Sequence, residues 1–449
     1  MCHGPLFWKI VLYTLPIMFT GILQLLYNAA DMIVVGKYVG ATALAAVGST
    51  GSFINLLVNL FLGLSVGVSV AVAQEYGARD FDGISETVHT AILSAAIAGV
   101  VVGAAGYALS RTCLLWMLCP EDVIDQAVLY LHIYFWGVPG IMVYNFGAGI
   151  LRAIGDTRRP LIFLTISGFT NVILNLIFVI GLKMDVAGVA LATVISQYLA
   201  AALVLFCLCM ADGPYHINIR QLRIYKERFI SIVRVGLPAG LQSAVFSISN
   251  MLIQSSINSF GSIAMAGNSA GSNLDSFIYT GMNSVSQAAM TFTGQNYGAG
   301  HHERLRRINV ICVLLATGVG ILLSAVIYIN RETLLRFYND DPEVVRYGVT
   351  RLTIICATYF TCGIMDSLVG TLRGMGQSFV PMVVTIIGAC GLRVVWIYTV
   401  FAARPTLNVL FISYPVSWVV TALAHYICLI LIRRKLFSNQ NLMETPLIS

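Results

Sequence analysis

The chain has 449 residues, 58% of them hydrophobic and 10% charged, with a mean hydropathy of +0.83. A soluble domain carries about 25% charged residues, so a chain this long and this poor in charge has hydrocarbon as its solvent. The net charge of +6 follows from Lys and Arg gathering at the cytoplasmic face of a membrane and does not point to a nucleic-acid partner. The ten cysteines show neither C-x-x-C nor zinc spacing. Most fall inside apolar runs as small apolar residues, while Cys113 and Cys119 lie close enough to the same membrane face to be a candidate pair.

A spanning helix needs roughly 20 mostly apolar residues. Reading from the N-terminus, such runs fall near 10–35, 48–73, 88–110, 127–150, 161–181, 187–210, 230–258, 269–293, 308–329, 347–371, 380–401 and 409–432. The first runs on into Gln24, Asn28 and Asp31, which marks a first span rather than a cleaved leader. With the N-terminus inside, the inner segments hold seventeen Lys and Arg and the outer ones seven, so both termini are expected in the cytoplasm. The longest polar break divides the chain into 1–210, a linker 211–229, 230–434 and a cytoplasmic tail 435–449.

The two halves repeat. Gln74-Glu75-Tyr76-Gly77-Ala78 returns as Gln295-Asn296-Tyr297-Gly298-Ala299, and Leu151-Arg152-x-x-Gly155 with Pro160 returns as Leu372-Arg373-x-x-Gly376 with Pro381. Gly40-x-x-Ala43-x-Ala45 returns as Gly261-x-x-Ala264-x-Ala266, and all three offsets are 221 (295−74, 372−151, 261−40). Tyr27-Asn28 matches Ser249-Asn250 at 222. Six spans per half keep both halves in one orientation, related by an axis along the membrane normal, as in transporters that bind substrate between two halves.

Of the 20 acids only Asp31, Asp275 and Asp366 sit well inside apolar runs, and Arg393 is the one base expected to be deeply buried. An ionisable residue in a span is costly and is presumed functional. Gln24, Tyr27, Asn28 and Asp31 fall at i, i+3, i+4, i+7, one helix face. Asn250, Gln254 and Asn258 form a stripe in span seven, and Asn268, Ser272, Asp275, Tyr279 and Asn283 one in span eight. Asn171 and Asn175 are four apart in span five. Stripes in both halves suit a wet central cleft, where an Asp takes up a proton or holds Na⁺, or attracts a cationic substrate. Asn55 and Asn59 are read as interhelical hydrogen bonding, His132 and His425 as packing residues, and Arg393 as pairing with Asp366, another acid or carbonyls. Gly63-x-x-x-Gly67 and Gly99-x-x-x-Gly103 suit close helix packing. There is no Walker lysine motif, Gly-x-Ser-x-Gly or His-Glu-x-x-His, so no enzyme is expected.

From Pro5 to Arg434 the chain resembles the multidrug and toxic compound extrusion (MATE) family. The resemblance rests on Leu26-Tyr27-Asn28-x-x-Asp31-x-x-x-Val35-Gly36 with Gly40, on Gln74-x-x-Gly77-Ala78, on Leu151-Arg152-Ala153-Ile154-Gly155-Asp156 with Pro160, and on their second-half counterparts. It implies an all-α membrane fold of twelve helices, in two six-helix bundles about a pseudo-twofold axis and a V-shaped cleft. It also implies export of small organic, often cationic, compounds in exchange for H⁺ or Na⁺, with no other cofactor. The family's first-bundle ion site maps onto Asp31, Asn171, Thr193 and Asn145. Asn175 stands where many members carry Asp, which leaves Asp31 as the one carboxylate there. A possible Na⁺ site is therefore Asp31, Asn171, Asn175 and Thr193, and the substrate cavity is expected to draw on Gln24, Tyr27, Asn28, Asn250, Gln254, Asp275, Tyr279, Asn283, Asp366 and Arg393. The expected setting is a bacterial plasma membrane, with the protein a monomer. A flippase of a lipid-linked or narrow metabolite substrate is the alternative, though it should carry more cleft cations than Arg393; an intramembrane enzyme is remote.

Overall fold

The computed structural model describes residues 1–443 apart from 118 and 120. Fifteen α-helices run in chain order: α1 (Leu6–Tyr38), α2 (Ala41–Ala78), α3 (Phe81–Trp116), α4 (Glu121–Ile154), α5 (Arg158–Asn175), α6 (Asp185–Cys209), α7 (Lys226–Asn258), α8 (Ser262–Gly298), α9 (His302–Ile329), α10 (Arg331–Arg336), α11 (Pro342–Thr358), α12 (Phe360–Gly374), α13 (Phe379–Thr385), α14 (Leu392–Trp396) and α15 (Leu407–Met443). There is no strand among the described residues, as expected where no water is present to satisfy an open sheet edge.

All twelve expected spans coincide with helix. Among the described residues ten helical stretches are long and apolar enough to cross a membrane, and the pair α11–α12, bent by 50°, makes an eleventh. The twelfth, α8, has the length at 37 residues but not the composition, because the stripe from Asn268 to Asn283 makes it too polar. The helix α15 carries the chain on to Met443, so the expected tail begins as helix; residues 444–449 lie outside the described residues.

The chain divides into two compact units, Met1–Ala244 with Gly294–His302, and Val245–Thr293 with the chain from Glu303 onward. The division falls within α7 and not at the 211–229 linker. The reason is local. A Cβ on Gly63 would come within 2.8 Å of the Gly236 carbonyl oxygen, and one on Gly236 within 2.6 Å of the Leu64 Cα. The first half of α7 thus lies backbone to backbone on α2, the close approach that small residues permit in membranes. The linker itself lies along α3: the Asn218 amide donates to His89 Nε2 at 3.1 Å and the Tyr225 amide to Thr90 Oγ1 at 3.1 Å.

In the first unit α4 packs on α2, α3 and α6, and α5 packs on α1 and α6. Gly99 and Gly103 of α3 meet Pro139 and Phe135 of α4, as their spacing predicts. Beside them Ala91, Ala95 and Val102 join Leu131, Val138 and Met142 in the core. The repeat shows in the backbone too. Helices α4 and α12 are each followed by a left-handed glycine, Gly155 at φ 106° and Gly376 at φ 77°, where a Cβ would be strained. Asn175 is followed by the π-helical turn Leu176–Gly181 and Trp396 by Ile397–Phe401, again 221 apart. Cys113 and Cys119 are free; the candidate pair is not a disulfide.

Candidate functional site

Asp31 lies near the end of α1, and α5 brings it a partner: Asn175 Nδ2 donates to Asp31 Oδ1 at 2.6 Å. Asn175 also donates to Asn171 Oδ1 at 3.2 Å, one turn back on α5. Asn171 Nδ2 in turn donates to Thr193 Oγ1 of α6 at 3.4 Å. Three helices therefore converge on one polar cluster. Asn171 and Asn175 are buried, and Asn175 Oδ1 is a buried acceptor with no hydrogen-bond partner. Around it Val34, Val35, Val179 and Val189 form an apolar cluster with Tyr130 of α4. No base lies within 4.0 Å of Asp31 among the described residues. Asp31 thus has a neutral hydrogen-bond partner, and an orphaned acceptor lies beside it.

The rest of the α1 stripe divides. Tyr27 packs against Gly168 of α5 and its hydroxyl donates to the Thr165 carbonyl at 3.4 Å, whereas Gln24 and Asn28 are exposed. Asn145, expected beside Asp31, donates instead to the Ile141 carbonyl of its own helix at 2.8 Å. Asn55 is exposed and Asn59 half-buried. His132 stacks on Tyr107 at 3.9 Å, and fully buried His425 meets Thr385 at 3.2 Å.

The second unit corrects the expectation of a single buried base. Arg351 of α11 is buried too. Its Nε and Nη2 donate to Asp275 Oδ2 at 3.0 and 2.7 Å, and its Nη1 to Asn268 Oδ1 at 2.8 Å. Asn268 passes the chain to Gln254 at 2.9 Å, and Gln254 to Asn258 at 2.9 Å. Asp275 is therefore neutralised by an ion pair and is no free carboxylate for a cationic substrate. Sequence reasoning missed Arg351 because it lies near the start of its span, one of two arginines in α11 with Arg346 beside a polar break.

Arg393, on α14, is fully buried. It donates to Ser417 Oγ at 3.0 Å and to Asn250 Oδ1 at 3.2 Å and has no acid within 4.0 Å among the described residues. The expected pairing with Asp366 is not made. The Asp366 carboxylate takes a hydrogen bond from Tyr279, its backbone carbonyl one from Ser286 at 2.6 Å, and Asn283 reaches the Tyr279 hydroxyl at 3.5 Å.

Twelve membrane helices in repeated halves, with a half-buried carboxylate cluster in the first, describe a multi-pass membrane protein. The MatE family model matches residues 16–177 and again 238–399, an offset of 222 that restates the repeat. The chain belongs to the MatE family; it is a transporter and not an enzyme. It is 28% identical over 391 residues to Probable multidrug resistance protein YpnP of Bacillus subtilis, covering 87% of each chain. To Probable multidrug resistance protein NorM of Thermotoga maritima it is 25% identical, over 84% of this chain and 82% of that one. Among solved structures, a MATE crystallised with MaL6 superposes with a TM-score of 0.90 at 23% identity, over 96% of this chain and 97% of that one. An outward-facing multidrug resistance MATE family transporter superposes at 0.89, with 23% identity and 96% of each chain covered.

Proposed function

We propose that the chain is an antiporter of the plasma membrane that exports small organic compounds, often cationic or amphipathic, by alternating access in exchange for a small cation, H⁺ or Na⁺. Both termini lie in the cytoplasm in this reading. The observation that carries it is the Asp31 cluster: one half-buried carboxylate, held by Asn175 at 2.6 Å, with no base within 4.0 Å among the described residues. A side chain that is costly to bury when charged gains most from binding H⁺ or Na⁺. Exchange of that ion for substrate makes the ion gradient drive export. Asn171, Asn175 and Thr193 hold the acid in place and supply neutral oxygens for Na⁺. Relatives named as multidrug resistance proteins in two bacteria support the substrate class.

The test is efflux of a fluorescent organic cation from cells expressing the protein, with the H⁺ and Na⁺ gradients collapsed separately. Loss of efflux with one gradient names the ion. Efflux that persists with both collapsed would sink the antiport reading.

A further inference from the structure

The two halves treat the same place in the repeat differently. In the first half the first, fifth and sixth spans bring Asp31, Asn171 and Thr193 together. In the second half the corresponding spans, α7, α14 and α15, bring together Asn250, Arg393 and Ser417. At the offset of 222 that aligns Asn28 with Asn250, the counterpart of Asp31 is Ile253; on the fifth span, where Pro160 and Pro381 repeat at 221, the counterpart of Asn171 is Leu392, and Arg393 is the next residue. The acid has no counterpart there, and a guanidinium lies one residue beyond the counterpart of Asn171.

That guanidinium is incompletely satisfied. Arg393 has five N–H donors. Nε is used by Ser417 and Nη1 by Asn250, both neutral, while Nη2 is buried without a hydrogen-bond partner. Three rings surround it, Tyr414 at 4.5 Å, Phe246 at 5.0 Å and Trp418 at 6.0 Å from the guanidinium carbon. Cation–π contact offsets part of the cost of burying the charge but leaves the donors of Nη2 unfilled. Arg351, which shares the Tyr414 ring at 5.7 Å, shows what a satisfied arginine looks like here, since it has Asp275. Asn250 is exposed and forms the outer layer over Arg393. A turn of its amide would open Nη2 and offer a second donor, Nδ2, to whatever enters.

We propose that Arg393 is the anchor of an anion subsite in the second unit, which takes the carboxylate of a small aromatic substrate between Phe246 and Tyr414. The proposal rests on the transporter reading and adds aromatic carboxylates to the small organic compounds it takes. The carboxylate completes the guanidinium by charge-assisted hydrogen bonding, and the rings receive the apolar body.

The probe is 1-naphthoate, with 1-naphthalenemethanol as its uncharged counterpart, each titrated calorimetrically into the purified full-length protein. The wild type binds naphthoate at least about tenfold more tightly than the alcohol, the factor one charged hydrogen bond supplies. Arg393→Gln removes the preference. Asn250→Asp removes it as well, by placing a carboxylate of the protein's own beside Nη1 while Arg393 and its packing remain. Equal binding of the two probes by the wild type, no binding of naphthoate, or a preference that survives in Asn250→Asp would each overturn the proposal. The measurement is made at equilibrium without a gradient, so its failure is separate from a failure of ion-coupled export.

Discussion

At the scale of single residues, the account turns on which buried charges have partners. Asp275 and Arg351 neutralise each other at 2.7 Å with both side chains almost wholly buried. Such a pair contributes little net stability, but removing one member strands the other. Arg351→Met is expected to lower stability by about 3–5 kcal/mol, read as a fall in the thermal midpoint in detergent. Arg351→Met with Asp275→Leu should recover most of that loss, and a double variant no more stable than the single one would show that the pair is not the reason for the loss. Asn175→Asp places a second carboxylate beside Asp31, and the expected outcome is tighter Na⁺ binding, measured as Na⁺ protection against thermal unfolding. Much of the site at this scale was legible: Asp31, Asn171, Asn175 and Thr193 followed from the resemblance, and Asn171 and Asn175 share a helix face by spacing alone. Arg351 was hidden because a base near a span end reads as a surface residue, whereas its partners Asp275 and Asn268 come from another helix.

At the scale of elements, glycine decides how near helices approach. Gly236 sits where a Cβ would come within 2.6 Å of Leu64 Cα, backbone that cannot swing aside. Gly236→Val should therefore separate α7 from α2 at a cost of about 1–3 kcal/mol, and an unchanged thermal midpoint would contradict this packing. At the α2–α3 turn, Arg228 of α7 meets Glu86 at 3.0 Å, Glu75 at 3.1 Å and Asp80 at 3.5 Å. Three carboxylates around one guanidinium repel one another once it is gone, so Arg228→Ala should loosen this turn first. Faster hydrogen exchange over residues 75–87, with α4 unchanged, is the expected signature. The glycine spacings were readable in the sequence, but their partners were not, because a Gly-x-x-x-Gly pattern says that something comes close without saying which helix. The stripe in α8 was readable, and its polarity is the physical reason that this helix, though 37 residues long, falls short on hydropathy.

At the scale of the whole molecule, the duplication was the most legible feature, since motifs repeated at 221 reappear as paired left-handed glycines and paired π turns. The compact units were less so: their division inside α7 depends on backbone packing between α2 and α7 that no polar break announces. The orientation drawn from Lys and Arg places Cys119, after α3, outside and Cys2 inside. In cysteine-free backgrounds a membrane-impermeant maleimide added to intact cells should label a lone Cys119 and leave a lone Cys2 untouched, and the reverse pattern would invert the topology.

The central claim is that binding of a small cation at Asp31 drives export. The most direct test uses the purified protein in liposomes, with transport of an organic cation driven by an imposed H⁺ or Na⁺ gradient. The account predicts uptake dependent on one of the two gradients in the wild type, and none in Asp31→Asn inserted to the same level. Gradient-driven transport at the wild-type rate in Asp31→Asn would contradict it.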